Sequence, residues 1–316
     1  MNAVNQLRAR LQHITDKAKQ FFSDRLSRHF PQIYARTPAF WQLMRADKPI
    51  GTYLLLWPTL SALWLAADGW PDWHLIFIFA LGTWLMRSAG CCVNDFADAH
   101  VDGSVKRTEG RAIVTGRVTR KEALLSFVLL CLVAASLLLF MNGLTALLSL
   151  GAIALTAVYP FMKRYTHLPQ VVLGMAFSWG ILMAFTAQTG TLPAIAWVLY
   201  AANCLWTVAY DTQYAMADRE YDLQIGVKST AILFGDADRV MIGMLQVMFI
   251  FALVLVGNAL SLSGWYYLAL LIASILLGWQ QWMIRDREPQ ACFQAFLHNH
   301  WVGLVIFVGV ILGVQL

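Results

Sequence analysis

Charge is what this 316-residue chain has least of. Asp, Glu, Lys and Arg make up 13% of it against 59% apolar residues, and the stretches 123–162, 165–210, 240–284 and 289–316 contain none of the four. A membrane-spanning helix needs roughly 20 mostly apolar residues, so the three longest uncharged stretches each hold two spans and a turn. The turns read Met141-Asn142-Gly143, Gln188 to Pro193, and Gly257 to Gly264. With Ile50–Ala67, Trp73–Val93 and Leu297–Leu316, the count reaches nine helices. One large soluble core is excluded, because globular helices seldom run in back-to-back uncharged pairs. Cysteine is also sparse. Cys91, Cys92, Cys131, Cys204 and Cys292 are odd in number and lack CxxC spacing, which argues against a disulfide framework or a zinc site. His298 and His300, two apart, point to different helix faces. Nucleophile elbow, P-loop and dinucleotide fingerprint are all absent.

The distribution of basic residues orients the bundle. With nine spans, all 23 Lys and Arg fall on one side, counting Arg87 near the end of span two, while the opposite turns, including Ala66–Asp72, carry none. Positive charge marks the cytoplasmic face. The expected architecture is an all-α polytopic bundle of nine transmembrane helices around a cavity open to the cytoplasmic side, with the N-terminus cytoplasmic and the C-terminus outside. The net charge of +5 then reflects topology and contact with anionic membrane lipid, not nucleic acid. Residues 1–40 read as a separate basic segment: they hold seven Lys or Arg, with basic residues between Leu7, Leu11, Ile14, Ala18, Phe21 and Leu26, which recur at helical spacing. That pattern suits an amphipathic helix on the cytoplasmic membrane surface and equally a solvated helix. Residues 41–316 form the single membrane domain.

Two aspartate clusters interrupt the apolar material. Asp95, Asp98 and Asp102 stand at i, i+3 and i+7; Asp211, Asp218 and Asp222 stand at i, i+7 and i+11. On a helix each set lines one face. Stacked carboxylates repel, so a chain with 18 acidic residues would not group six of them without a counter-charge. Hard divalent cations take one or two carboxylates and complete their shells with water and substrate phosphate. Two half-sites gripping one metal–diphosphate follow. Asp95, Asp98, Asp211 and Asp218 are the expected catalytic ligands, with Asn94 as a neutral oxygen ligand. Asp102 and Asp222 either hold a second metal or order the loop. Arg107, Arg111 and Lys228 are placed to bind phosphate oxygens. Carboxylates and cations at helix ends also form plain salt bridges, but six aspartates at a membrane interface favour metal.

Asn94-Asp95-x-x-Asp98-x-x-x-Asp102 followed by Arg107-Thr108 and Arg111-Ala112-Ile113 resembles the first signature of UbiA-type intramembrane prenyltransferases. Tyr210-Asp211-Thr212-x-Tyr214-Ala215-x-x-Asp218-x-x-x-Asp222 with Gly226 and Lys228-Ser229-Thr230 resembles their second. Arg45-Ala46-Asp47-Lys48-Pro49-Ile50-Gly51, Leu55-Leu56-Trp57-Pro58-Thr59, Arg87 to Cys91, and Lys163-Arg164 before Pro169-Gln170 are similar to the branch that acts on 4-hydroxybenzoate. Ala112 departs from the proline expected in the first signature, which bears on loop stiffness more than on chemistry.

The resemblance implies Mg²⁺-assisted ionisation of a polyprenyl diphosphate and substitution at the ring carbon ortho to the hydroxyl of 4-hydroxybenzoate, a step of ubiquinone biosynthesis at the bacterial inner membrane. Tyr159, Tyr210, Tyr214 and Trp206 would wall the allylic cation, although aromatic residues also serve as packing and interfacial belts. Arg45, Asp47, Lys163 and Arg164 would bind the acceptor, since cations beside a polar cavity in a membrane are functional candidates. Homogentisate, dihydroxynaphthoate or haem are alternative acceptors. A transporter is the rival class, and it would place its charges near the bilayer midplane rather than at one mouth.

Overall fold

In a computed structural model the chain is described at residue 17 and over residues 31–100, 103 and 108–315. The expected basic helix of residues 7–26 lies outside the described residues, apart from Lys17, and so do Asp102 and Arg107. Within residues 31–315, among the described residues, eleven α-helices follow one another: α1 (Pro31–Leu43), α2 (Ile50–Ala67), α3 (Trp73–Asp98), α4 (Arg120–Ser136), α5 (Gly143–Tyr165), α6 (Pro169–Thr189), α7 (Ala194–Ile225), α8 (Thr230–Phe234), α9 (Asp238–Ala259), α10 (Gly264–Met283) and α11 (Pro289–Gln315). Single 3₁₀ turns follow α4 and α8. Among the described residues there is no strand.

Local chemistry sets the helix ends. Thr119 and Glu122 form a reciprocal capping box at the start of α4. Asn142 caps α5 by accepting from Thr145 N at 2.9 Å, and its Nδ2 donates to Thr186 O of α6 at 2.6 Å. Pro169 occupies the first turn of α6. Gly226, at φ 71°, ends α7 in the left-handed conformation that glycine adopts without steric cost.

Nine of these helices, α2–α7 and α9–α11, are 17 residues or longer among the described residues. Seven segments are both long and apolar enough to cross a bilayer: α2, α3, Arg120–Phe140, α5, α6, Thr230–Ala259 and Pro289–Val314. The two that fall short, α7 and α10, are diluted for physical reasons. The last third of α7 carries the second aspartate cluster, and α10 is rich in Trp, Tyr and Gln. Part of this polar material pairs between helices. Gln280 of α10 accepts from Gln213 of α7 and Gln246 of α9, and Asn299 of α11 joins Gln213 to the Trp206 indole. Interhelical amide bonds of this kind hold membrane bundles together.

Helices α2, α6, α7 and α11 pack as a central quartet, α2 against α6 and α11, and α7 against α6 and α11. Leu54, Leu63, Ile181, Phe185, Trp206 and Ile306 belong to its core. On one flank α9 and α10 lean on α7 and α11. On the other, α4 packs on α3 and α5 on α6, while the sequential neighbours α4 and α5 scarcely touch. Their outward faces expose Leu125, Leu129, Leu132, Leu147 and Leu150. Continuous apolar exposure of that extent suits lipid, not water. Helix α1 runs through position 40 without a break, and its Ala39 and Leu43 pack against Cys92, Ala112, Val118 and Ala123.

Candidate active site

A cavity of about 1420 Å³ opens within the α3–α5 flank, bounded by α2, α3, α4, α5, α6 and α7 and by the start of α11. One end is polar and collects Asp95 and Asp98 together with Asp211, Asp218 and Asp222. The other runs between Ile78, Phe79, Leu138, Met141 and Met183. Along α3, from Asp98 to Ile78, that is about 30 Å at 1.5 Å per residue, comparable to the bilayer's hydrocarbon thickness.

The first cluster sits in the last turns of α3. Asp95, 1% exposed, is gripped through both oxygens by Arg45, at 2.8 Å (Nη2–Oδ1) and 3.2 Å (Nη1–Oδ2), and Arg111 adds a contact to Oδ1 at 3.2 Å. Burial opposes the charge on Arg45, yet Asp95 and Cys91 more than offset it, and the guanidinium pKa lies above its ordinary value. Arg45 occupies the left-handed region at φ 55°. That costs a non-glycine residue about 1–2 kcal/mol, in a turn that aims it back at Asp95. Asp98 is also buried. Its Oδ2 accepts from Lys163 Nζ and from Asn94 Nδ2, while its Oδ1 is buried without a hydrogen-bond partner. Arg164 donates to Ala97 O at 2.6 Å. Asp47 is exposed at the cavity rim.

The second cluster lies on α7. Asp211, Asp218 and Asp222 all line the cavity, as their spacing on one face requires. Between them Arg219 points the other way and locks α7 to Asp238 (2.6 Å) and to the carbonyls of Ala231 and Gly235. Lys228 joins the clusters mechanically: its backbone N–H donates to Lys163 O at 3.1 Å and its Nζ to Tyr165 O at 3.3 Å, tying the loop after α7 to the end of α5. Tyr159 stands within electrostatic reach of both Asp98 and Asp211. Tyr210 and Tyr214 line the same wall; Tyr210 donates to Thr207 and Tyr214 packs on Phe296 at 4.9 Å. Trp206 does not line this cavity. Its ring is buried behind it, against Tyr210 and Phe249, with its indole on Asn299.

Among the described residues no three acidic, histidine or cysteine side chains close around one point. Arg45, Arg111 and Lys163 supply the counter-charge for the first cluster. The donor set nonetheless fits a hard divalent cation, because it is all oxygen and Asp98 Oδ1 is buried, unpaired and on the cavity wall.

One cation that the sequence reading placed in a motif without a role in the site stands on the cavity wall. Arg87 lies two turns before Asn94 on α3 and lines the cavity. Its Nη1 donates to Cys91 Sγ at 2.8 Å, its Nε is buried without a partner, and among the described residues no carboxylate pairs with it. The available signal was a single arginine in an otherwise uncharged span, since intramembrane charges are rare and functional by default.

The UbiA prenyltransferase family model matches residues 55–303. The 4-hydroxybenzoate octaprenyltransferase of Pseudomonas aeruginosa (strain LESB58) is 57% identical over 280 residues, covering 89% of this chain and 95% of the relative. The 4-hydroxybenzoate octaprenyltransferase of Pseudomonas fluorescens (strain Pf-5) is 59% identical over 281 residues, with coverages of 89% and 95%. Among solved structures, a UbiA homolog from Aeropyrum pernix K1 superposes with a TM-score of 0.73 at 21% identity, covering 83% of this chain and 96% of that one. A UbiA homolog from Archaeoglobus fulgidus bound to GPP and Mg²⁺ gives a TM-score of 0.64 at 15% identity, covering 86% and 99%. These two share the fold.

Proposed function

The chain belongs to the UbiA prenyltransferase family, and on that premise we propose that it transfers a polyprenyl group from polyprenyl diphosphate to 4-hydroxybenzoate. The new bond forms at the ring carbon ortho to the hydroxyl, as a step of ubiquinone biosynthesis. The observation that carries the reading is a single cavity about 30 Å long along α3, with aspartates of both clusters and several cations at one end and apolar residues at the other. All nine long helices span the bacterial inner membrane, with residues 1–40 at the cytoplasmic surface and residues 41–316 as one domain open to the cytoplasm. The one-sided placement of the 23 basic residues supports this orientation.

Asp95, Asp98, Asp211 and Asp218, with Asn94, would hold Mg²⁺; Asp102 and Asp222 would hold a second metal or order the loop. When bound, the ion draws off negative charge developing on the departing diphosphate. Arg107, Arg111 and Lys228 bind phosphate oxygens from the surrounding loops. Arg45 belongs to this end too, orienting Asp95 through both oxygens. Tyr159, Tyr210 and Tyr214 present ring faces to the allylic cation, and the apolar wall keeps water from quenching it. The tail leaves between α4 and α5 into lipid, where those helices scarcely touch.

The acceptor carboxylate needs a cation that is not already committed. Arg45 is bound to Asp95, Lys163 to Asp98, and Arg164 to the Ala97 carbonyl. Arg87 is the partner assigned here, with Asp47, Lys163 and Arg164 closer to the mouth through which the acceptor enters. The test uses membranes containing the protein, radiolabelled 4-hydroxybenzoate and a series of polyprenyl diphosphates. Labelled lipid product should require both substrates. Product with homogentisate or dihydroxynaphthoate but none with 4-hydroxybenzoate would reassign the acceptor.

A further inference from the structure

Gly51 stands in the first turn of α2, where its φ is not positive and the helix has no need of glycine. Alanine is the better helix former at such a position. Its purpose is visible across the cavity. A Cβ on Gly51 would lie 2.5 Å from Nη2 of Arg87, 2.6 Å from Nε and 2.9 Å from Cζ. The guanidinium thus sets its Nε–Nη2 edge against the bare Cα of Gly51, while Cys91, one turn along α3, accepts from Nη1 at 2.8 Å. Cys91 is 4% exposed and lines the same cavity. Two contacts from two helices therefore fix a long, otherwise flexible cation that has no carboxylate partner among the described residues.

We propose that Gly51 and Cys91 are positioning residues that hold the Arg87 guanidinium at the angle and depth at which it receives the acceptor's carboxylate. The inference rests on the assignment of Arg87 made above. Ordinary van der Waals contact begins near 3.4 Å, so a methyl group at position 51 drives the guanidinium about 0.9 Å from its seat, a misplacement of the size that costs roughly 100-fold. The seat thereby selects for acceptors whose anionic group lies at a set distance from the reacting ring carbon.

The experiment compares 4-hydroxybenzoate with its neutral analogue 4-hydroxybenzamide in membranes carrying Gly51→Ala, Cys91→Ala, Cys91→Ser and Arg87→Ala proteins. Gly51→Ala is expected to raise the KM for 4-hydroxybenzoate by about 10- to 100-fold and to erase the preference over the amide. The KM for the prenyl diphosphate should stay within about threefold, and the unfolding temperature in detergent should not fall. Cys91→Ala should act in the same direction, and Cys91→Ser, whose hydroxyl still accepts from Nη1, should restore most of the preference. Loss of preference in Arg87→Ala with none in Gly51→Ala or Cys91→Ala overturns the seat while leaving the Arg87 assignment standing. An intact preference in Arg87→Ala removes the assignment and the inference with it. Equal defects in Cys91→Ser and Cys91→Ala reduce the cysteine to packing and overturn its part.

Discussion

Arg45→Ala separates the two ends of the cavity. In the folded chain Arg45 makes two charge-assisted hydrogen bonds to Asp95, at 2.8 and 3.2 Å, and both groups are well buried, with side-chain exposures of 18% and 1%. Such bonds contribute roughly 1.5–3 kcal/mol. Removing one partner of a fully buried ion pair costs about 3–5 kcal/mol, but Arg111 stays on Oδ1, so the lower range applies. A carboxylate offers about four acceptor positions; Arg45 and Arg111 fill three, and one remains for a metal without displacing either cation. The truncation therefore disorients a metal ligand and removes counter-charge from the diphosphate, and kcat/KM for the prenyl diphosphate should fall by about 10- to 150-fold at 1.4 kcal/mol per tenfold. The KM for 4-hydroxybenzoate should change less than about threefold. Arg45→Lys keeps the charge but cannot bind both oxygens in the plane, so it should lie between. Backbone strain cancels from the comparison, because alanine bears the same left-handed φ. The assay is initial-rate kinetics in membranes with each substrate varied in turn. A raised acceptor KM with an unchanged prenyl diphosphate KM would refute the reasoning and put Arg45 in the acceptor pocket, where its place before the first span had suggested it.

Metal dependence is the second expectation: turnover should vanish with EDTA, return with Mg²⁺, and be abolished in Asp95→Ala, Asp98→Ala, Asp211→Ala and Asp218→Ala proteins that still insert. Undiminished activity in metal-free buffer would sink the diphosphate mechanism. Reporter fusions after Lys163 and Asp222 should read cytoplasmic and those after Gly69 and Gly190 external; a single reversed site would break the nine-span arrangement. Asn299→Leu should lower resistance to unfolding in detergent by about 1–3 kcal/mol, because the Trp206 indole and Gln213 each lose a partner and such bonds in membranes contribute about 0.6–1.7 kcal/mol apiece. Its acceptor KM should not move, since Asn299 lies behind the cavity wall.

What could be read along the chain was whatever periodicity or absence encodes. Asp95 and Asp98, and Asp211, Asp218 and Asp222, do share helix faces and do line one cavity. The uncharged stretches do become long helices, broken at Asn142, Gly190 and the turn before Gly264. Counting by absence of charge and counting by apolarity part company only at α7, which carries the second aspartate cluster, and at α10, rich in Trp, Tyr and Gln; Gln213 and Gln280 join the two. Pairing was not legible. Arg45 and Asp95 are 50 positions apart and Lys163 and Asp98 are 65 apart, and nothing local distinguishes a cation bound to a carboxylate from one left to a substrate. That difference decides function. Lys163 and Arg164 carry the look of membrane anchors yet both reach the end of α3, whereas Arg87 carries the look of packing within a span and has no carboxylate partner among the described residues. The same holds for Gly51, which reads as an indifferent first-turn residue until the guanidinium opposite is seen occupying the space its side chain would fill. In a chain this poor in charge, each buried cation must be neutralised by a fixed carboxylate or by a ligand that arrives. A guanidinium seated by a glycine and a thiol, beside a cavity and without a carboxylate, is therefore an argument for the anion it awaits.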